Sequence, residues 1–143
     1  MNRDKLVSYL NDYLRVPEIK DASDNGLQVE GGEEVHKAAF AVDACLEAFR
    51  QTHRVGAQML ITHHGLFWGK PVMLRHIHRQ RAAYLLEHGI SLYSAHLPLD
   101  IHPELGNNVQ LARLLDLKTT GAFGEYNGVI LGVIGEPQKP LTL

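Results

Sequence analysis

Two histidine-bearing motifs in this chain of 143 residues carry side chains that can bind metal ions. The first is the pair His63 and His64, and the second holds His96 and Asp100 with Pro98 between them. Neutral imidazole is the commonest protein metal ligand, and imidazole nitrogen with carboxylate oxygen suits Zn²⁺, Mn²⁺ or Fe²⁺. A carboxylate can also bridge two ions, which an imidazole cannot. Together the two motifs predict a divalent-metal site.

Each motif also has an interpretation without metal. One of the paired histidines can be a buried polar group bonded to the backbone while the other faces solvent. Because neighbouring strand residues point to opposite faces, His63 and His64 are expected to converge only if the chain leaves the extended conformation between them. In the second motif, Asp100 can cap a turn with His96 packed beneath it. Pro98 disfavours a helix there, so we expect both residues on a turn.

The elements that position these residues are predicted from hydrophobic periodicity. Apolar residues at helical spacing predict helices over residues 3–14, 45–55, 74–88 and 107–115. Asn2 is the predicted cap of the first helix and Asn107 that of the last. Short apolar runs predict strands at residues 38–42, 59–62 and 90–95, with a fourth strand-like run at 129–134. Asp, Asn and Gly are frequent in residues 21–32, which predicts a loop.

The alternation of strands and helices predicts an α/β fold with a mostly parallel sheet flanked by helices. Both motifs directly follow predicted strands. Ligand sites of open α/β sheets lie outside the carboxyl ends of the strands, so the metal site is expected at the C-terminal ends of adjacent strands. The length of the chain favours a single α/β domain over residues 1–143, or one part of a longer protein.

Composition excludes several classes of function. With 45% apolar and 21% charged residues, the composition is that of a globular protein and not of a disordered one. The net charge is −2 and no run of basic residues occurs, so we expect neither a nucleic-acid nor an anionic-membrane partner. No signal peptide or apolar span is present, and Cys45 is the single cysteine, which favours the reducing cytoplasm.

Three ordered motifs resemble the GTP cyclohydrolase I type 2 homologues, also described as dinuclear metal-centre proteins. They are DNGLQV at Asp24–Val29, THHGLFW at Thr62–Trp68 and HLPLDIHPELGNN at His96–Asn108. The resemblance covers about residues 1–135. It implies an α/β fold, a homo-oligomer in the form of a toroidal hexamer, and a pair of metal ions at each site.

The resemblance also implies the ligand set, which is His63, His64, His96 and Asp100, with Asp100 as the bridge. The family uses a further His and Glu in a C-terminal stretch that this sequence does not contain, so the chain resembles the N-terminal part of a member. Two ions sharing four ligands would each lack protein ligands, so either another chain supplies the missing ligands or this chain holds fewer than two ions. The candidate substitutes are Asp43, Glu104 and Glu125, and His102 could support the site or face the substrate.

The function implied is metal-dependent hydrolysis. A metal ion that lowers the pKa of a bound water to about 7 supplies hydroxide as nucleophile. In the activity assigned to some family members, this hydroxide would open the imidazole ring of GTP and release formate. The chain has no GxxxxGK[ST] phosphate loop and no evident basic cradle, so a nucleotide substrate rests on the resemblance alone. Two alternatives stay open: a non-catalytic metal-binding regulatory or interaction protein, and a metal-dependent phosphoesterase or nucleotide hydrolase.

Overall fold

Three parallel strands form the centre of the fold in a computed structural model that describes residues 1–139. They are β2 (Ala38–Asp43), β3 (Met59–His64) and β4 (Ser91–Ser94), and the antiparallel strand β1 (Gly26–Val29) pairs with β4. The strand order is β1-β4-β3-β2, with β3 and β4 adjacent. The predicted α/β fold with a mostly parallel sheet is confirmed.

Three helices accompany this sheet: α1 (Arg3–Tyr13), α2 (Leu46–Arg54) and α3 (His76–Glu87). The predicted N-cap of α1 is confirmed, because the Asn2 side chain accepts hydrogen bonds from two backbone amides of the first turn at 3.0 and 3.2 Å. The glycine after α2, Gly56, has a φ of 68°, a left-handed conformation that closes a helix at little steric cost. Among the helices of residues 1–139, none combines the length and the apolar composition that a membrane crossing requires.

The core of this unit, residues 1–96, lies between α2, α3 and the sheet. Its fully buried side chains include Phe49 from α2, Leu85 from α3, and Leu60 and Leu92 from the central strands. Buried strands are rich in apolar residues, which is why β3 and β4 could be predicted from the sequence. The packed strands hold their carboxyl ends in fixed positions.

A second unit begins at Leu97. It contains the short helix α4 (Leu97–Asp100), the helix α5 (Asn107–Leu114) and an antiparallel hairpin of β5 (Leu117–Tyr126) and β6 (Val129–Pro137). The fourth predicted strand is therefore confirmed within β6, but it pairs with β5 in a separate two-stranded sheet. Asn127 and Gly128, both with positive φ, form the turn of the hairpin.

Four sequence expectations were wrong in detail. Residues 97–100 form a helix and not a turn, because Pro98 lies in the first helical turn, where its missing N–H has no helical partner to lose. The predicted loop at 21–32 contains β1, and the strand β5 was missed because its alternation is interrupted by Gly121 and Gly124. The N-cap of α5 is Gly106 and not the predicted asparagine.

Candidate metal centre

The histidines lie where the neighbouring strands β3 and β4 end. His63 and His64 are the last two residues of β3, and His96 follows the end of β4 by two residues. Thr62 is in register with Ser94, and the Ser94 hydroxyl donates to the His63 carbonyl at 3.2 Å. The sheet therefore brings all three imidazoles to one edge.

The three imidazole rings converge on one point. The ring centroid of His63 lies 4.5 Å from that of His64 and 4.9 Å from that of His96, and the third distance is 5.6 Å. One nitrogen of each ring lies within 4.8 Å of the others, which is a spacing that can hold a metal ion. The convergence occurs although His64 is still part of the strand, so the expected break between the two residues was wrong.

Each ring is held through its Nδ1 by an oxygen atom. His63 Nδ1 lies 3.2 Å from the Ala95 carbonyl oxygen, and His64 Nδ1 lies 2.8 Å from an Asp43 carboxylate oxygen. His96 Nδ1 lies 3.0 and 3.1 Å from the two oxygens of Asp21. Since these oxygens only accept hydrogen bonds, Nδ1 carries the proton in all three neutral rings. This tautomer leaves the Nε2 lone pair as the ligand, the arrangement found around metal-binding histidines.

The Asp21 side chain is deeply buried. It is 2% exposed, compared with 22% for His96. Besides His96, it accepts hydrogen bonds from the Ser23 amide at 3.1 Å and the Asn25 side-chain amide at 2.9 Å. The Asn25 side-chain oxygen in turn accepts from the His96 backbone amide at 2.7 Å. Asp21 and Asn25 thus fix both the ring and the backbone of His96.

Gln28 of β1 fixes the loop that follows β3. Its side-chain oxygen accepts from the Leu66 amide at 2.6 Å, and its side-chain nitrogen donates to the Asp24 carbonyl at 2.6 Å. A Cβ placed on Gly65 would clash with this amide group, so any larger residue there would displace the Gln28 side chain. The loop also carries Trp68. Its ring forms a wall beside the imidazoles, with its centroid 5.1 Å from that of the His96 ring.

Three imidazoles with occupied Nδ1 atoms match the chemistry of Zn²⁺, Fe²⁺ or Mn²⁺ sites and leave coordination positions for water or substrate. His64 is 41% exposed, so this edge is open to solvent. Asp100, the fourth predicted ligand, belongs to the second unit, where its carboxylate accepts from the Asn107 side chain at 2.7 Å. Its role as a ligand stays a prediction.

The sequence did not reveal every residue that shapes this centre. Asp21 was missed, and Asn25 and Gln28 belonged to a recognised motif without an assigned role. The spacing of Asp21, Ser23 and Asn25 is a usable signal, since an Asp side chain commonly binds the amide two residues on. Asp43, considered as a substitute ligand, instead orients His64.

His102 performs a structural task in the second unit. It is 7% exposed, and its Nδ1 accepts from the backbone amides of Glu104 and Leu105 at 3.2 and 3.1 Å. An imidazole whose Nδ1 lone pair is engaged in this way holds the turn between the two helices of that unit.

The whole chain matches a protein-family model. The model is that of Duf34/NIF3 (NGG1p interacting factor 3), and it covers residues 1–143. A GTP cyclohydrolase 1 type 2 homolog of Pyrococcus abyssi is 48% identical over 143 residues, which is 100% of this chain and 57% of the relative. The protein of the same name in Escherichia coli K12 is 44% identical over 122 residues, with 85% and 49% covered. The chain spans about half the length of the curated relatives it matches.

Solved structures agree with these matches. The crystal structure of TTHA1606 from Thermus thermophilus superposes with a TM-score of 0.85 at 46% identity, covering 93% of this chain and 53% of that one. The structure described as protein ybgI, of unknown function, gives a TM-score of 0.82 at 44% identity, covering 85% and 50%. Sequence, family model and fold agree, and the chain belongs to the Duf34/NIF3 family.

Proposed function

We propose that the three histidines hold a divalent metal ion and that the protein is a metal-dependent hydrolase. The observation that supports this proposal is the convergence of the three imidazoles, each with its Nδ1 bonded to an oxygen. Rings held in this way lose little entropy when a metal binds, so the site is preorganised. Zn²⁺, Fe²⁺ and Mn²⁺ all suit these ligands.

A divalent ion bound there would supply Lewis acidity, which polarises the bond under attack and brings the pKa of water down to about 7. The residues of the chain provide the surroundings. Asp21 and Asp43 keep the ring protons of His96 and His64 on Nδ1, so that neither ring turns its N–H toward the ion. Trp68 covers one side of the imidazoles, and the exposed side of His64 leaves a path for the substrate.

The substrate that we propose is GTP, whose imidazole ring would be opened by water with release of formate. The support is the name of the relatives, GTP cyclohydrolase 1 type 2 homolog. Paired metal ions also suit phosphoryl chemistry, so a phosphoesterase or nucleotide hydrolase is the competing reaction. The two reactions differ in their product, since the first releases formate and the second releases phosphate.

A second metal ion would need ligands beyond the three imidazoles. We propose Asp100 as the bridging ligand, and residues of the longer family members or of another subunit as the rest. The resemblance also supports a toroidal homo-hexamer, which native mass spectrometry would detect as six times the chain mass of 16.0 kDa. A cytoplasmic location also stays a prediction.

Metal content per chain, measured by elemental analysis after buffer exchange, tests the site. We expect at least one ion per chain in the wild type and a loss of most of it in His63→Ala. His36→Ala is the matched control, because this exposed histidine lies outside the cluster. Full metal content in the folded His63→Ala variant would refute the proposed site.

Turnover tests the reaction. GTP and a panel of nucleotides and phosphoesters are incubated with the metal-loaded protein, and formate and phosphate are measured separately. Formate release that His63→Ala abolishes supports ring opening. Phosphate release would favour the competing hydrolase. Metal binding without any turnover would favour a non-catalytic regulatory or interaction protein, in keeping with the words "interacting factor" in the family description.

A further inference from the structure

Basic charge is concentrated in one part of the sequence. No aspartate or glutamate occurs between Glu47 and Glu87, whereas six arginines and lysines do. The rest of the chain holds the other eight basic residues and all sixteen acidic ones. The net charge of −2 therefore conceals a strongly positive stretch. The six charges are spaced two or more residues apart, which is why no basic run was visible in the sequence.

Residues 70–79, which we call the basic segment, carry exposed and unneutralised charge. Lys70, Arg75 and Arg79 are exposed, and within residues 1–139 none of them forms an ion pair. Arg75, the N-cap residue, and Arg79, in the first turn, bring two like charges to the start of α3. Farther along, Arg81 has a buried Nε without a hydrogen-bond partner in the described part of the chain. A bound anion would offset the repulsion between the like charges at the start of α3.

The basic segment also forms a concave surface. An open cavity of about 590 Å³ is lined by four apolar residues, Pro71, Val72, Met73 and Ile77, and by three polar ones, Arg75, His76 and His78. Its volume falls in the range of about 300–1,000 Å³ that small-molecule sites occupy. The N-terminus of α3, a helix of 12 residues, lies in this segment without a side-chain cap and without an acidic residue in its first turn. Its helix dipole therefore adds to the positive potential.

We propose that the basic segment binds the phosphate groups of a nucleotide-sized anion. The basic side chains and the start of α3 would contact the phosphates, and the apolar lining would contact the remainder of the ligand. The choice of a nucleotide rests on the proposed function. Lys70 follows Trp68, the wall of the histidine cluster, by two residues, so their Cα atoms lie within about 7 Å. The basic segment therefore begins close to the residue that flanks the histidine cluster.

The charge of the remaining chain favours a small anion over an extended one. A duplex or a charged membrane would cover a large area, including regions where acidic residues outnumber basic ones two to one. Such a partner would meet repulsion beyond the segment, whereas a triphosphate experiences mainly the nearby charges, because salt screens the field within about 8 Å.

The test is calorimetric titration of the purified, metal-loaded protein with inorganic tripolyphosphate. In Arg75→Gln/Arg79→Gln the dissociation constant is expected to rise at least about tenfold, which corresponds to about 1.4 kcal/mol, because two charged hydrogen-bond donors to the phosphates are lost. The matched control is Arg50→Gln/Arg54→Gln, which removes the same charge from exposed positions of α2 and is expected to change the constant less than about twofold. All four arginines are exposed, and thermal unfolding checks that both variants fold.

Several results would overturn the proposal. Unchanged binding in Arg75→Gln/Arg79→Gln would do so, as would an equal loss in both double variants, which would indicate net charge alone. Loss of binding in His63→Ala with full binding in the arginine variant would assign the phosphate to the metal centre. Binding of duplex DNA or anionic vesicles as tight as that of tripolyphosphate, with the same arginine dependence, would replace the small anion by an extended partner.

This experiment separates the inference from the hydrolase proposal. Tripolyphosphate binding that depends on Arg75 and Arg79 supports the phosphate site even if no nucleotide is hydrolysed. Conversely, hydrolysis of GTP by a protein that does not bind tripolyphosphate refutes the phosphate site and leaves the hydrolase in place.

Discussion

Replacing Asp21 by asparagine would turn one oxygen of a buried carboxylate into a hydrogen-bond donor. One oxygen of Asp21 accepts from the Ser23 amide and the other from the Asn25 side-chain amide, and both lie near His96 Nδ1. If the new amide keeps its oxygen toward Ser23, its nitrogen faces the Asn25 nitrogen, which is also a donor. In the alternative orientation, the nitrogen of the new amide faces the backbone N–H of Ser23, which is also a donor. Either way one buried hydrogen bond is lost and His96 is held less firmly.

The magnitude follows from burial. Because Asp21 is only 2% exposed, water cannot replace the lost partner. Changing the group that orients a metal-binding histidine typically lowers metal affinity about 10- to 100-fold, which corresponds to about 1.4–2.8 kcal/mol. The unpaired buried donor lowers the free energy of unfolding by about 1–3 kcal/mol. Asp43, 66% exposed beside His64, gives the contrasting case, and Asp43→Asn is expected to weaken metal binding less than about tenfold.

The assay is competition of Zn²⁺ or Co²⁺ between the protein and a chromophoric chelator, with thermal unfolding measured in parallel. The absorption spectrum of bound Co²⁺ reports ligand geometry independently of stability. Asp12→Asn, at an exposed position of α1, is the control. A folded Asp21→Asn protein with metal affinity within about twofold of the wild type would refute the role assigned to Asp21.

Three further predictions concern the loop, the core and pH. In Gly65→Ala the new methyl group displaces the Gln28 side chain from the Leu66 amide. We expect the free energy of unfolding, measured by urea titration, to fall by about 1–3 kcal/mol. An unchanged unfolding midpoint would contradict this expectation. Phe49→Ala removes a side chain that is 0% exposed, and we expect the free energy of unfolding in the same titration to fall by about 3–5 kcal/mol. A loss below about 1 kcal/mol would contradict this, because it would mean that the neighbouring side chains fill the cavity left by the phenyl ring. Imidazole binds metal only when neutral, so metal affinity is expected to fall as pH drops below about 6.5, and full affinity at pH 5 would exclude the histidine ligands.

Much of the first unit could be predicted from the sequence. The strand β3 begins as an apolar run and β4 lies within the mostly apolar residues 90–95, both between helices with clear periodicity, and a histidine marks the end of each. The position of the site at adjacent strand ends followed from that pattern. These signals are local, since they depend on which residues neighbour each other in the chain.

The remaining features depend on contacts that no local pattern encodes. The residues 21–32 have the composition of a loop, and β1 exists because its backbone pairs with β4. The orienting role of Asp21 likewise requires its position against His96 to be known. In the second unit, Pro98 disfavours a helix when considered as an interior residue but is compatible with a first turn, so the choice depended on where α4 begins.

The connections of the metal centre also constrain when it can form during folding. Asp21 lies 75 residues from His96 in the chain, and Asn25 lies 71 residues away. Contacts of such long range form late, because the entropy of closing the loop must first be overcome. A nascent chain contains His63 and His64 before His96 has been synthesised. In a zinc finger, ligands close in sequence let the metal drive folding. If the three histidines bind metal as proposed, tight metal uptake is expected to follow the pairing of β1 with β4, because that pairing brings Asp21 and Asn25 to His96.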